Sequence, residues 1–568
     1  MFTEFPKDPN VVLGWDWEDY QRYVDDLLAI DLTPDNVDAW QDGWSLLASA
    51  LQESYNRRYV AHSVNTADQE AERAYEAFIE GIYPKALDAE QRLKDKLLES
   101  GLQPANFEIP MRNLRAEADL FRSENLDLLA EEQKLSAEYD RITSAQTVTW
   151  QGAEVTLTQL EPIFEEQDRE RREQVWRLTM DRRLADRAAL NELWTRLYDL
   201  RQQIARNAGR PDYRAYRWQQ LLRFDYTPED SLAFLDAIEQ QVVPVAERIY
   251  ARRKERLGVD RLRPWDLNVD PHGRPPLRPY RDPAELAPGT ARIFHQVDPQ
   301  LGANFDRMMQ QNLLDLDNRK NKAPGGYCTD FPLIRLPFIF ANAVGMHEDV
   351  QTLLHEGGHA FHTFESARQR RVQDLMVPAE FAEVASMSME FIGGTFLAAD
   401  SGGFYTPEEA ARARIDVLEA YILFWPYMAV VDAFQHWAYT HPEGRDPAAC
   451  DATWSGLWDR FMRGVDWDGL EAVKATGWHR KLHIFTAPFY YVEYGLALLG
   501  AVQVWQNWLR SPQEGIRAYR QALALGGTRP LPELFAAAGA RLSFDADTLR
   551  SAVQVMESAV NELSGSVG

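Results

Sequence analysis

Residues 351–366 read QTLLHEGGHAFHTFES, a helix-forming run with two adjacent glycines, Gly357 and Gly358, at its centre. Each glycine costs about 1 kcal/mol against alanine inside a helix, so either the helix breaks here or the missing side chains serve a purpose. At about 100° per residue, Val350, Leu353, Leu354, Phe361 and Phe364 fall on one side, with Gly357 near the middle of the stripe, and His355, His359 and His362 fall on the other. Both faces keep their period across the glycines, which predicts one continuous helix. Gly357 then marks the close approach of a neighbouring helix, and Gly358 provides clearance beside the histidine face.

His355 and His359, one turn apart, can direct two imidazoles at one ion, and Glu356 between them is placed to contact a water on that ion. This is the His-Glu-x-x-His pattern of zinc hydrolases. An ordinary helix with unligated histidines is the competing reading of the pentapeptide alone. A site that keeps a position open for water needs a third protein ligand, and PAEFAEVASMSMEF, residues 378–391, offers one. Pro378 is a helix-start signal, and Glu383 and Glu390 share a face of the helix that follows. If that helix runs antiparallel to the first, Glu383 completes the ligand set and Glu390 holds a ligand histidine from behind. Solvated glutamates are the alternative, but the surrounding Ala, Val, Met and Phe argue that at least one is buried and partnered.

The rest of the 568-residue chain is consistent with a large helical protein. Amphipathic helices rich in Glu, Leu, Ala and Arg fill the sequence to about residue 145. TVTWQGAEVTLT, residues 147–158, alternates around Gln151-Gly152 as a short hairpin does. Residues 258–283, crowded with Pro, Asp and Gly, predict a long irregular connection. With 87 acidic against 61 basic residues, the net charge of −26 repels nucleic acid and anionic membranes. Apolar runs such as AYILFWPYMAVVDAF are interrupted before the roughly 18 to 20 residues of a membrane span. The N-terminal stretch lacks the pattern of an export signal, and the two cysteines, Cys328 and Cys450, are far apart, so a reducing cytoplasm is expected.

With the two helices in view, the chain resembles the oligoendopeptidase F branch of the thimet oligopeptidase-like zinc metallopeptidases. The resemblance rests on HEGGHAFH, PAEFAEVASMSMEF, DLDNRKNKAPGGYC and HIFTAPFYYVEYGLALLGA, and more loosely on NAGRPDYRAY and RPWDLNVD. It spans about residues 200–505, while residues 1–190 match only as a helical lobe. The tyrosine-rich segment is one residue shorter, relative to its histidine, than in the thimet-type branch.

The resemblance implies a mainly α-helical fold with two helical lobes around a deep central cleft and a small β element beside the zinc helix. The expected division is an N-terminal helical lobe over 1–190 and a catalytic region over 191–568. It implies one zinc held by His355, His359 and Glu383, with Glu356 activating the water. His483 with Tyr491 and Tyr494, which keep the family spacing, would stabilise the tetrahedral intermediate. Tyr494 is favoured because Gly495 after it would let the segment fold over the zinc, whereas Phe489 and Tyr490 read as packing. Gly325, Gly326 and Tyr327 of KAPGGYC permit close backbone approach to a ligand. Phe340, Ala341 and Asn342 of PFIFAN could form an edge strand to which a peptide adds. The expected function is a zinc endopeptidase acting on short unfolded peptides. A helical zinc carboxypeptidase and a non-catalytic peptide-binding protein with structural zinc are the alternatives. Oligomeric state is left open.

Overall fold

The computed structural model describes residues 5–566, and helices dominate it, with one hairpin and one small sheet. One apolar cluster, including Trp40 and Trp44, draws almost entirely on the first 115 residues. The main core, from Val60 to Val560, takes in Leu135, Tyr139 and Leu190 together with every helix that carries the site. The hairpin forms where alternation predicts it: Thr147–Trp150 pairs antiparallel with Ala153–Thr156. Gln151 and Gly152 both take positive φ, 52° and 85°, as a two-residue turn of this hand requires.

The three-stranded sheet has the order Leu314–Asp317, Leu336–Ala343, Tyr327–Phe331, so the strand containing PFIFAN lies at its centre. That strand pairs parallel with the first and antiparallel with the second. It feeds the histidine helix, His347–Ser366, through a tight turn. One carboxylate holds the turn: Asp349 accepts from the backbone N–H groups of Val344, Gly345 and Met346 at 2.9, 2.7 and 2.8 Å. The N–H of the N-cap Met346 and two turn donors before it are thereby paired with an acid in the first turn, at the positive end of the helix dipole.

The helix runs unbroken through Gly357 and Gly358. A Cβ on Gly357 would lie 2.4 Å from the Phe294 ring, and one on Gly358 only 2.5 Å from the Ser386 Cα. The closest approach of helix backbones is therefore at Gly358, one residue later than the apolar stripe suggests. Gly357 instead makes room for a phenylalanine.

The helix Pro407–Thr440, opened by a capping box between Thr406 and Glu409, continues through Pro426. Contrary to the sequence expectation, it is long and apolar enough to cross a membrane, but 61% of its most apolar stretch is buried within the protein. Asp432 and Gln435 lie in it fully buried, and Ser231 donates to Asp432 at 2.7 Å. It packs here as a core helix.

Candidate active site

The glutamate helix, Ala379–Gly393, crosses the histidine helix antiparallel: Gly358 meets Ser386 while Leu354 meets Gly393. This register brings His355, His359 and Glu383 together, with one donor atom of each within 4.8 Å of the others. His355 Nε2 is 3.3 Å and His359 Nε2 3.9 Å from Glu383 Oε2. On its other side His355 Nδ1 lies 2.7 Å from Glu390 Oε1, whose second oxygen accepts the Tyr421 hydroxyl at 2.7 Å. Two imidazoles and a carboxylate at this spacing, with one ring fixed from behind by a second acid, fit a zinc-type centre.

Charge within the cluster is balanced internally. Burial disfavours the His355 cation, but Glu383 and Glu390 outweigh it and raise the imidazole well above its ordinary range. Burial and the neighbouring His355 hold His359 down to about 4, so it offers a neutral nitrogen. Glu383 is held below its usual value, the hydrogen bond with His355 overcoming the effect of burial. Glu356, 8% exposed, is raised to about 7 by burial against the pull of His355 and of a hydrogen bond from the Cys328 N–H. A carboxylate poised near neutrality beside a ligand triad is suited to accept a proton. His362 is buried against the Phe381 ring, away from this group of donors.

The strand expectation is corrected here. Phe340 and Ala341 sit in the central strand, and Phe340, paired with Asp315 on one side and Tyr327 on the other, is not an available edge. Phe340 is fully buried under the stacked Tyr327 ring, 4.8 Å away, and the Ala341 carbonyl accepts from Lys322 at 2.6 Å. Asn342 donates to the carbonyls of Ala323 and Gly325, both at 2.8 Å, and so ties the glycine loop to the sheet. The strand that borders Glu356 is Tyr327–Phe331, through Cys328. Gly325 takes φ +92°, and a Cβ on Gly326 would meet the Phe340 carbonyl and Thr352 at 3.5 Å. A cavity of about 400 Å³, lined by Gln52, Cys328, Asp330, His359 and His362, opens beside this strand.

The segment His483–Tyr494 also approaches the cluster, since Tyr490 and Tyr494 feel the charge of Glu383. The His483 ring lies 4.9 Å from Tyr491 and 6.0 Å from Tyr494. Its Nδ1 is buried without a hydrogen-bond partner among the described residues, and burial lowers its pKa to about 4, so it is neutral. The tyrosines point differently. Tyr491 accepts from Lys481 Nζ at 3.0 Å and packs edge-on against Tyr427. Burial, and after it the Glu383 charge, raises the hydroxyls of Tyr490 and Tyr494, the latter to about 12. Of the segment's three tyrosines, Tyr490 and Tyr494 are thus the two that feel the Glu383 charge. Tyr490 and Tyr494, at i,i+4, share one helix face, their ring centroids 5.3 Å apart.

Gly495 does not act as a hinge. It lies inside the helix Tyr491–Arg510, where a Cβ would meet the Met428 methyl at 2.4 Å. Three arginines from residues 201–223 instead grip the backbone of the segment. Arg201 donates to the carbonyls of Ile484, at 3.2 Å, and Phe485, at 2.5 Å; Arg217 to that of Pro488 at 3.2 Å; and Arg223 to that of Phe489 at 2.5 Å. Gln435 accepts the Phe489 N–H at 2.7 Å, and Phe489 itself has φ +64°. Arg223 also bonds Glu493 at 2.6 Å, and Glu380, at the start of the glutamate helix, accepts from Tyr226 at 2.6 Å. No local pattern in the sequence pointed to these arginines or to Tyr421.

The arrangement has close structural relatives. The structure of PZ peptidase A with inhibitor 2 superposes with a TM-score of 0.85 at 26% identity, covering 98% of both chains. A protein assigned as an oligoendopeptidase F gives 0.84 at 26% identity, again over 98% of each. Another so assigned, from Bacillus anthracis str. Ames, gives 0.79 over 99% of this chain and 97% of its own; at 24% identity it speaks to the fold alone. No curated protein sequence matches this chain. The model of peptidase family M3 matches residues 163–554, which contain His355, His359, Glu383, Glu356 and the tyrosine segment, and the chain belongs to that family.

Proposed function

We propose that this peptidase is a zinc-dependent endopeptidase of short, unfolded oligopeptides. The observation that carries the proposal is the His355–His359–Glu383 cluster, with Glu356 beside it, inside an M3 fold. Bound zinc would polarise the scissile carbonyl and acidify the attacking water. Glu356, raised toward neutrality, takes the proton of that water and returns it to the leaving amine. Glu390 and Tyr421 keep the His355 ring in the orientation that presents Nε2. His483 and the hydroxyls of Tyr490 and Tyr494 donate to the developing oxyanion. Tyr327–Phe331 is the strand along which a substrate backbone would pair, and Gly325 and Gly326 keep its approach open. A reducing cytoplasm suits the free Cys328 and Cys450.

The test couples metal analysis to product mapping. Purified protein should carry about one zinc per chain, and chelation should abolish cleavage of a quenched peptide. Mass spectrometry should find internal cuts in short peptides and none in folded proteins. Stepwise loss of single C-terminal residues would favour a carboxypeptidase, and full activity in the chelated protein would overturn the zinc assignment.

A further inference from the structure

The cavity of about 400 Å³ beside the edge strand Tyr327–Phe331 takes in His359 and, one helical turn on, His362. Its size falls in the range of ligand pockets. One wall is apolar, formed by Val372, Leu375, Met376 and Val377 from the link between the histidine and glutamate helices. The other carries Cys328 and Asp330, which share one face of the strand roughly 7 Å apart.

Two polar groups in this cavity lack partners. Burial pushes the Asp330 carboxyl up, and only its own N–H and the charge of Arg335 counter this. Among the described residues its carboxylate accepts from no other side chain and forms no ion pair. Glu53 behaves differently. It lies on the helix Val37–Val64, whose Asn56 donates to the Asp330 carbonyl, and it is bonded by Arg57 at 2.7 Å and by the Leu333 N–H at 3.0 Å. The second group is His362, 6% exposed, whose Nε2 has no hydrogen-bond partner among the described residues. Burial keeps this ring neutral. The wall itself is negative: after burial, the charges of Glu356 and Asp330 together raise the Cys328 thiol.

We propose that this cavity is a subsite for a lysine or arginine side chain of the substrate, with the stem along Val372, Leu375 and Val377 and the cationic head on Asp330 beside His362. This rests on the peptidase reading above, with substrate paired along Tyr327–Phe331. A residue paired opposite Asp330 has its Cβ about 5 Å from that of Asp330, on the same face. Because His359 lines the same cavity, that residue lies within about two of the scissile bond. A long basic side chain suits both walls, since its methylenes cover apolar surface while its head reaches the acid. The half-buried carboxylate then gains a charge-assisted hydrogen bond that nothing in the chain supplies. With a net charge of −26 the whole protein attracts cations, so the mark of a subsite is selectivity at one position of the peptide.

The test uses one quenched peptide in which each of the two residues on either side of the bond is set in turn to Lys, Arg, norleucine or Glu. At one position Lys or Arg should raise kcat/KM about tenfold or more over norleucine, with Glu the poorest. Asp330→Asn should bring that ratio toward one, and Asp330→Glu should keep part of it. Circular dichroism checks that each variant folds. A ratio near one at every position, an equal preference for cations at all four, or a preference that survives in Asp330→Asn overturns the proposal; the second of these is the signature of net charge alone. Failure to cleave any of the peptides would instead sink the peptidase reading. Calorimetric binding of the Lys and norleucine peptides to the wild type and to Asp330→Asn would then decide the subsite, and equal affinities for the two peptides in the wild type would overturn it.

Discussion

The histidine and glutamate helices meet backbone to backbone at Gly358, whereas the His483–Tyr494 segment is gripped through its carbonyls by guanidiniums from residues 201–223. The first contact is a matter of shape. With no Cβ at 358, two helices come close enough for side chains one and two turns apart to share an ion, and the ligand geometry follows from helix periodicity. The second contact is a matter of charge. The segment passes through Phe489 at positive φ and contains little regular structure before Tyr491. Its position depends on buried arginines that are themselves held by acids such as Glu132 and Glu493. The part of the site that would hold a metal is thus built from local rules, and the part that would face the oxyanion from long-range ones.

The largest expected effect tests the local half. Glu356→Gln should reduce kcat by about 10²–10⁴-fold, as loss of a general base does, with zinc content unchanged. Retention of more than a tenth of the activity would mean that the base lies elsewhere. Next comes the charge-held half. Arg223→Met strands Glu493 and Glu380 in the interior and should cost about 3–5 kcal/mol in denaturant unfolding. A loss below about 1 kcal/mol, the value of an exposed pair, would show that the segment does not need its clamp.

Within the segment, hydroxyl deletions rank the donors. Phenylalanine at Tyr490 or Tyr494 should lower kcat and kcat/KM together, by about a hundredfold for the residue that donates to the oxyanion. Tyr491→Phe, whose hydroxyl is engaged by Lys481, should change kcat only a few-fold. A reversed order would return the role to Tyr491. The smallest effect compares two glycines. Gly358→Ala must push backbone apart and should cost about 1–3 kcal/mol, with weaker zinc retention on dialysis. Gly495→Ala displaces the flexible end of Met428 and should cost less. Equal losses would mean that the helix crossing is not specially tight.

How much of this could be read from the chain follows the same division. The hairpin at Gln151-Gly152, the unbroken histidine helix and the shared face of Glu383 and Glu390 depend on turn chemistry and on periods of two and 3.6 residues, so the sequence alone determined them. It also determined which side chains could form a ligand set, because i,i+4 and i,i+7 spacings fix faces before any tertiary contact exists. Only the tertiary structure decided that the strand containing Phe340 is central and that Tyr327–Phe331 borders Glu356, because strand order is settled by pairing between distant segments. The same holds for Tyr490 feeling the Glu383 charge while Tyr491 turns to Lys481, since three neighbouring tyrosines have the same chemistry until packing orients them. The arginines at 201, 217 and 223 lie more than 260 residues from the carbonyls they hold. A guanidinium finds a buried carbonyl only after the core has closed around both, and no periodicity in the chain encodes that meeting.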